Sequence, residues 1–99
     1  MNKIEVENSQ QPGKITRVDA AKYKAMKAAY LQVLPDTSPG LNIEEIYQAI
    51  LLLLPESLFP KGKAVTMWIK IVQLDLEAKK LVTRAKTKPL RWYKADDQN

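Results

Sequence analysis

Basic side chains dominate the last third of this 99-residue chain and set the chemistry open to it. From Lys61 to Lys94 there are ten lysines and arginines but only two acids, Asp75 and Glu77, so this segment carries a net charge of +8. Residues 1–60 hold six bases and seven acids and are therefore nearly neutral. A neutral body with one basic end indicates a polyanionic partner. A surface that only keeps the protein in solution would have the same composition.

Polar side chains in this segment recur at intervals of three and four residues. They are Lys63, Thr66, Lys70, Gln73 and Glu77. This spacing predicts one face of an amphipathic helix, opposite an apolar face. Lysine and glutamine can hydrogen-bond to base edges, and threonine can contact a thymine methyl group. The stripe is therefore either a surface that reads nucleic acid or the solvated side of the helix.

The composition argues against catalysis. The chain has no histidine and no cysteine, which are the commonest general base, thiol nucleophile and metal ligands. Its three glycines, Gly13, Gly40 and Gly62, are too far apart to form a phosphate-binding loop. We therefore expect a protein that is not an enzyme and that holds no cofactor and no metal.

The chain also shows no sign of a membrane or secreted location. Its longest apolar run, residues 50–54, is far shorter than the roughly 20 residues of a membrane span. The absence of cysteine fits a reducing compartment. We predict a cytoplasmic protein without a membrane partner.

Hydrophobic periodicity predicts three helices followed by a hairpin. The helices are expected at 20–34, 43–54 and 63–79, and strand 81–86 is expected to pair with 90–94. Residues 1–18 are interpreted as an N-terminal arm and 19–99 as the domain. The predicted core consists of Tyr23, Met26, Tyr30, Ile46, Ile50, Leu53, Trp68, Ile69, Val72, Leu76, Leu81 and Trp92.

This element order resembles the winged helix-turn-helix fold, a mainly α, α+β arrangement of three helices and a C-terminal β-hairpin. The segment 40–46, Gly-Leu-Asn-Ile-Glu-Glu-Ile, resembles the turn, cap and acidic first turn that open the second helix of such domains. The segment 74–82, Leu-Asp-Leu-Glu-Ala-Lys-Lys-Leu-Val, resembles the passage from the recognition helix into the wing. Lys80 stands where that passage usually has glycine, so a left-handed residue there would be mildly strained.

The whole chain also resembles a small uncharacterised bacterial family of unknown function. The likeness rests on Pro-Gly-Lys-Ile-Thr-Arg-Val-Asp-Ala at 12–20, Val-Gln-Leu-Asp-Leu-Glu-Ala-Lys at 72–79 and Lys-Pro-Leu-Arg-Trp at 88–92. It implies no mechanism.

The winged-helix resemblance implies which residues would contact DNA. The third helix would enter the major groove with Lys63, Thr66, Lys70 and Gln73. On or near the wing, Arg84, Lys86 and Lys88 would contact phosphates. Asp75 and Glu77 oppose this arrangement, because acids at the end of that helix repel phosphate unless neighbouring lysines neutralise them or that end points away from DNA.

Two functions follow from these features. The first is binding of duplex DNA, with transcriptional regulation as a possible role and a homodimer as a possible assembly. Dimer contacts would then come from residues 1–17 or from the outer face of the first helix. The alternative is a protein–protein interaction module that uses the same fold without DNA.

Overall fold

A β-hairpin opens the fold. In the computed structural model, which describes residues 2–94, β1 (Lys3–Val6) pairs antiparallel with β2 (Thr16–Asp19). Side chains alternate across a strand, so Val6 is buried while Lys3 and Glu5 are exposed. The hairpin packs against both the first and the third helix.

Three α-helices follow within residues 2–94. They are α1 (Ala20–Val33), α2 (Ile43–Leu51) and α3 (Val65–Ala78). Asp19 caps α1 by accepting a hydrogen bond from the Lys22 N–H at 3.0 Å. Asn42 and Glu45 form a capping box at the start of α2, each accepting from the other's backbone N–H at 2.9 Å. The three helices predicted from the sequence are therefore confirmed.

The predicted end of α2 is wrong. The helix stops at Leu51, and the next residues turn away, with the Leu53 N–H bonded to the Ile50 carbonyl at 2.8 Å. Pro55 disfavours helical backbone in the residue before it, which explains the early end. A 3₁₀ turn at Pro60–Gly62 then leads into α3.

The second sheet has three strands. The predicted hairpin is confirmed as β4 (Val82–Ala85) paired antiparallel with β5 (Arg91–Lys94). A two-residue strand, β3 (Leu41–Asn42), lies on the other side of β5 and was not predicted. Gly40 permits this pairing, because a Cβ atom there would lie 1.9 Å from the Trp92 carbonyl oxygen.

The core lies between the three helices and the inner faces of the sheets. Of the twelve predicted core residues, Leu53 and Leu81 are wrong, with 41% and 43% of their surfaces exposed, and the rest are buried. Leu53 lies in the turn after α2. Leu81 ends the turn that closes α3, where its N–H bonds to the Leu76 carbonyl at 2.9 Å.

That turn contains the predicted left-handed residue. Lys80 has φ 63°, and its N–H bonds to the Glu77 carbonyl at 3.0 Å. Together with the bond from Leu81 this is a Schellman motif, in which glycine is the usual left-handed residue.

Candidate nucleic-acid interface

The first two turns of α3 present the exposed polar surface. Lys63, just before the helix, is exposed together with Thr66 and Lys70. Met67 lies between them with 55% of its surface exposed and was not predicted at this surface. The face is therefore a mixture of two cations, one hydroxyl and one flexible apolar side chain.

The C-terminal half of α3 is covered, which corrects the prediction for Gln73. This residue is 5% exposed and accepts a hydrogen bond from the Tyr30 hydroxyl at 2.7 Å, so it cannot face a partner. Nearby, the Leu74 carbonyl accepts from the Ser9 N–H at 3.3 Å. The predicted polar stripe therefore ends after Lys70, because Gln73 contacts α1 and Leu74 contacts the loop of the N-terminal hairpin.

Asp75 is an internal carboxylate. It is fully buried and accepts hydrogen bonds from the Tyr23 hydroxyl, the Glu7 N–H at 2.8 Å and the Lys79 ammonium at 2.9 Å. Its position was readable from the sequence, since it lies seven residues after Trp68 and three after Val72, on the apolar face of the helix. Asp75 joins the hairpin, α1 and α3.

Glu77 is also committed to internal contacts. It accepts from the Ser9 hydroxyl at 2.6 Å and from the Trp92 indole N–H at 2.6 Å. The Arg84 guanidinium donates two further hydrogen bonds to it, at 3.1 and 3.2 Å, and lies 5.7 Å from the centre of the Trp92 ring. The charge of Arg84 is thus already paired within the protein, and its phosphate contact stays a prediction.

Burial also acts on two tyrosines beside these acids. Desolvation raises the pKa of Tyr30 well above its usual value, and the negative charge of Glu77 adds to the effect. Burial likewise raises the pKa of Tyr23, and its hydrogen bond to Asp75 acts in the same direction. Both hydroxyls therefore stay protonated donors at neutral pH.

The tip of the β4–β5 hairpin carries exposed cations. Lys86 and Lys88 are both exposed, and the Thr87 hydroxyl between them donates to the Pro89 carbonyl at 2.7 Å. Farther along β5, Arg91 pairs with Glu45 at 3.1 Å and Lys94 with Asp36 at 3.2 Å. The charges of the hairpin thus divide into paired ones at its base and exposed ones at its tip.

The ten cations of the basic segment likewise divide into paired and exposed ones. Its paired cations are Lys79, Arg84, Arg91 and Lys94. The other six are exposed and form no ion pair within residues 2–94: Lys61, Lys63, Lys70, Lys80, Lys86 and Lys88. Lys61 and Lys80 were counted in the basic segment but not assigned to the site.

An acid borders the exposed face of α3 on the side of α2. Glu44, at the start of α2, lines a shallow pocket together with Ile43, Tyr47 and Thr66. Its carboxylate accepts a hydrogen bond from the Gln48 amide at 3.0 Å. A negative charge therefore lies at the α2 edge of the surface, and the cations lie along α3 and at the hairpin tip.

Residues 2–94 contain no group of three or more acidic, histidine or cysteine side chains that could hold a metal ion. None of the helices described there is long and apolar enough to cross a membrane.

Comparison with known proteins gives a family but no activity. No curated protein and no solved structure matches the chain. A family model described as "Family of unknown function (DUF6958)" matches residues 3–92, which include the N-terminal hairpin, all three helices and most of the C-terminal hairpin. The chain therefore belongs to this family of unknown function.

Proposed function

We propose that this protein binds duplex DNA as a winged helix-turn-helix domain. Three helices followed by a β-hairpin is the element order of that fold, and β3 ties the hairpin to the segment between α1 and α2. Strand β5 in turn contacts α3 through the hydrogen bond from Trp92 to Glu77. The hairpin is thus held at a set position relative to α3, as a wing must be.

The exposed start of α3 is the observation that carries the proposal. In this docking mode the N-terminal residues of the recognition helix contact base edges, and Lys63, Thr66 and Lys70 occupy that end. The acids Asp75 and Glu77, which would repel phosphate at the other end, are paired with cations of the chain, and Asp75 is fully buried while Glu77 is partly buried. Lys86 and Lys88 at the hairpin tip are suited to backbone phosphates.

A salt titration tests the phosphate contacts. Each neutralised phosphate adds about 0.9 to the slope of log K against log salt. Lys86→Ala with Lys88→Ala should therefore flatten the slope by about 1.8, measured by fluorescence anisotropy on a labelled duplex. The matched control is Lys24→Ala with Lys27→Ala, which removes the same charge from α1, outside the proposed surface. Equal slopes for the two double variants would show that only net charge matters.

Base reading by α3 needs a separate measurement. Thr66→Ala and Lys70→Ala should change the free energy of unfolding by less than about 0.5 kcal/mol, as exposed substitutions do. Against a duplex selected from a random pool, each should cost about 1–3 kcal/mol of binding if it contacts a base. Binding to random duplex should fall less. A selection that enriches no site would remove sequence-specific reading from the proposal.

A protein-interaction module is the second candidate. The observation that favours it is exposed apolar surface, since Leu52 is 87% exposed at the end of α2 and Met67 lies within the proposed DNA face. If micromolar protein at low salt leaves every duplex unshifted, this second function becomes the better one.

A further inference from the structure

A groove separates the N-terminal hairpin from α3. Its volume is about 230 Å³. Five apolar side chains line it: Val6, Val18, Met67, Ile71 and Leu74. The inner face of the hairpin thus supplies one wall and α3 the other.

Two opposite charges also line this groove. Lys70 comes from α3 and Glu7 from the end of β1, and both residues are exposed. Within residues 2–94 neither side chain forms an ion pair, with the other or with any third residue. The remaining polar residues of the lining, Asn8 and Thr16, are neutral.

The position of Glu7 is fixed independently of its carboxylate. Its backbone N–H donates to buried Asp75 at 2.8 Å, and Asp75 is itself held by the Tyr23 hydroxyl and Lys79. The side chain of Glu7 is therefore held near the groove by contacts that a substitution at its carboxylate leaves intact.

We propose that this groove binds a small apolar α-amino acid. The carboxylate of the amino acid would pair with Lys70, and its ammonium group would pair with Glu7. The side chain of the amino acid would pack against the apolar walls of the groove. The volume of about 230 Å³ is many times the roughly 10–15 Å³ that a cavity needs to hold one water, so the groove has room for a small organic ligand. An apolar wall with a few polar groups that fix orientation is the usual make-up of small-molecule sites.

Charge complementarity favours an α-amino acid over ligands that carry a single charge. The carboxylate of a fatty or aromatic acid would pair with Lys70, but its negative charge would lie near the negative charge of Glu7. The ammonium group of a simple amine would pair with Glu7, but its positive charge would lie near Lys70. A zwitterion with an apolar side chain matches both charges and the apolar walls together.

Calorimetry and NMR titration on the full chain, without DNA, test the proposal. The probes are L-leucine, L-leucinamide, which lacks the carboxylate, and N-acetyl-L-leucine, which lacks the ammonium group. We expect leucine to bind with a dissociation constant below about 1 mM, which corresponds to roughly 4 kcal/mol. Each analogue should bind at least tenfold more weakly than leucine. The NMR chemical-shift changes caused by leucine should be largest in β1, β2 and α3.

Two variants assign the charges. Lys70→Ala should weaken leucine at least tenfold and leave leucinamide unchanged, while Glu7→Gln should weaken leucine and leave N-acetyl-leucine unchanged. Lys88→Ala, an exposed cation on the distant hairpin tip, is the matched control and should bind leucine normally. The proposal is overturned if 10 mM leucine gives no shift, if the analogues bind as well as leucine, or if Lys70→Ala has no more effect than Lys88→Ala.

Discussion

At the scale of single residues, two acids decide how much of α3 remains available. Asp75 is fully buried and Glu77 is partly buried, and together they hold the hairpin loop and the C-terminal sheet against the helix. A buried carboxylate is tolerated when its oxygens accept enough hydrogen bonds, and both meet this condition. The charges that seemed to oppose DNA binding are therefore internal structural groups.

Removing Asp75 should expose how much the fold depends on it. Asp75→Ala would leave the Tyr23 hydroxyl and the Glu7 N–H without an acceptor, and each unsatisfied buried group costs about 1–3 kcal/mol. We expect the free energy of unfolding, measured by urea denaturation, to fall by about 2–4 kcal/mol. Lys79→Ala is the comparison variant, because it removes the ammonium group and leaves the hydrogen bonds from Tyr23 and Glu7 to Asp75 in place. Equal losses would assign the stabilisation to the ion pair instead.

Tyr30 should make the fold sensitive to alkali. Its pKa is raised in the folded state above the value of about 10 for an exposed tyrosine, so the unfolded state releases the proton first. The stabilisation is complete below pH 10 and is lost as the pH rises from there towards the folded pKa. Thermal melts should show a falling midpoint above pH 10. Tyr30→Phe should lower the midpoint at pH 7, because Gln73 loses its donor, and should flatten the alkaline fall.

At the scale of elements, the sequence pattern predicted the helices and the hairpin that short-range interactions determine. The three helices and the hairpin have clear periodicity, so their approximate positions were readable, although α2 ends at Leu51 rather than at residue 54. Strand β3 was not, because two residues cannot show an alternation and the pairing depends on Gly40 lying against β5. The burial of Gln73 involves Tyr30 of α1, which lies 43 residues away along the chain. Sequence periodicity carries no information on such contacts.

The end of α3 offers a prediction at this scale. Lys80 adopts a left-handed backbone that costs a residue with a side chain about 1–2 kcal/mol, and glycine avoids that cost. Lys80→Gly should therefore raise the free energy of unfolding by about 1 kcal/mol, after the entropy that glycine adds to the unfolded chain. Lys86→Gly, on the exposed hairpin, should give no gain. A loss of stability in Lys80→Gly would mean that the lysine side chain makes a stabilising contact.

At the scale of the whole molecule, the basic segment contains two populations of charge. Four cations secure the sheets and helix ends through ion pairs, and six remain exposed along α3, in the turns that flank it and at the hairpin tip. Composition predicted the total of these charges but not their division, since pairing depends on which acids the fold brings near. Lys70 lies where two surfaces meet, the proposed DNA face and the groove beside the hairpin.

This shared lysine couples the two proposals. If Lys70 binds the carboxylate of an amino acid, it is withdrawn from DNA, so leucine should weaken DNA binding. Linkage requires the converse, with DNA weakening leucine by the same factor. We expect saturating leucine to raise the dissociation constant of a selected duplex about 5-fold or more, within the usual range of coupling between sites. Anisotropy titrations with and without leucine measure this factor.

The competition between leucine and DNA at Lys70 can be distinguished from the binding of either ligand alone. In Lys70→Ala, DNA binding should be weaker and no longer respond to leucine, whereas Lys88→Ala should keep the full response. Leucinamide, which lacks the carboxylate, should not displace DNA from the unsubstituted protein. Leucine could change the NMR chemical shifts of α3 and yet leave the affinity for DNA unchanged. In that case the groove and the DNA face are independent surfaces. Lys70 would then serve only one of them, and the Lys70→Ala measurements on each ligand alone would show which.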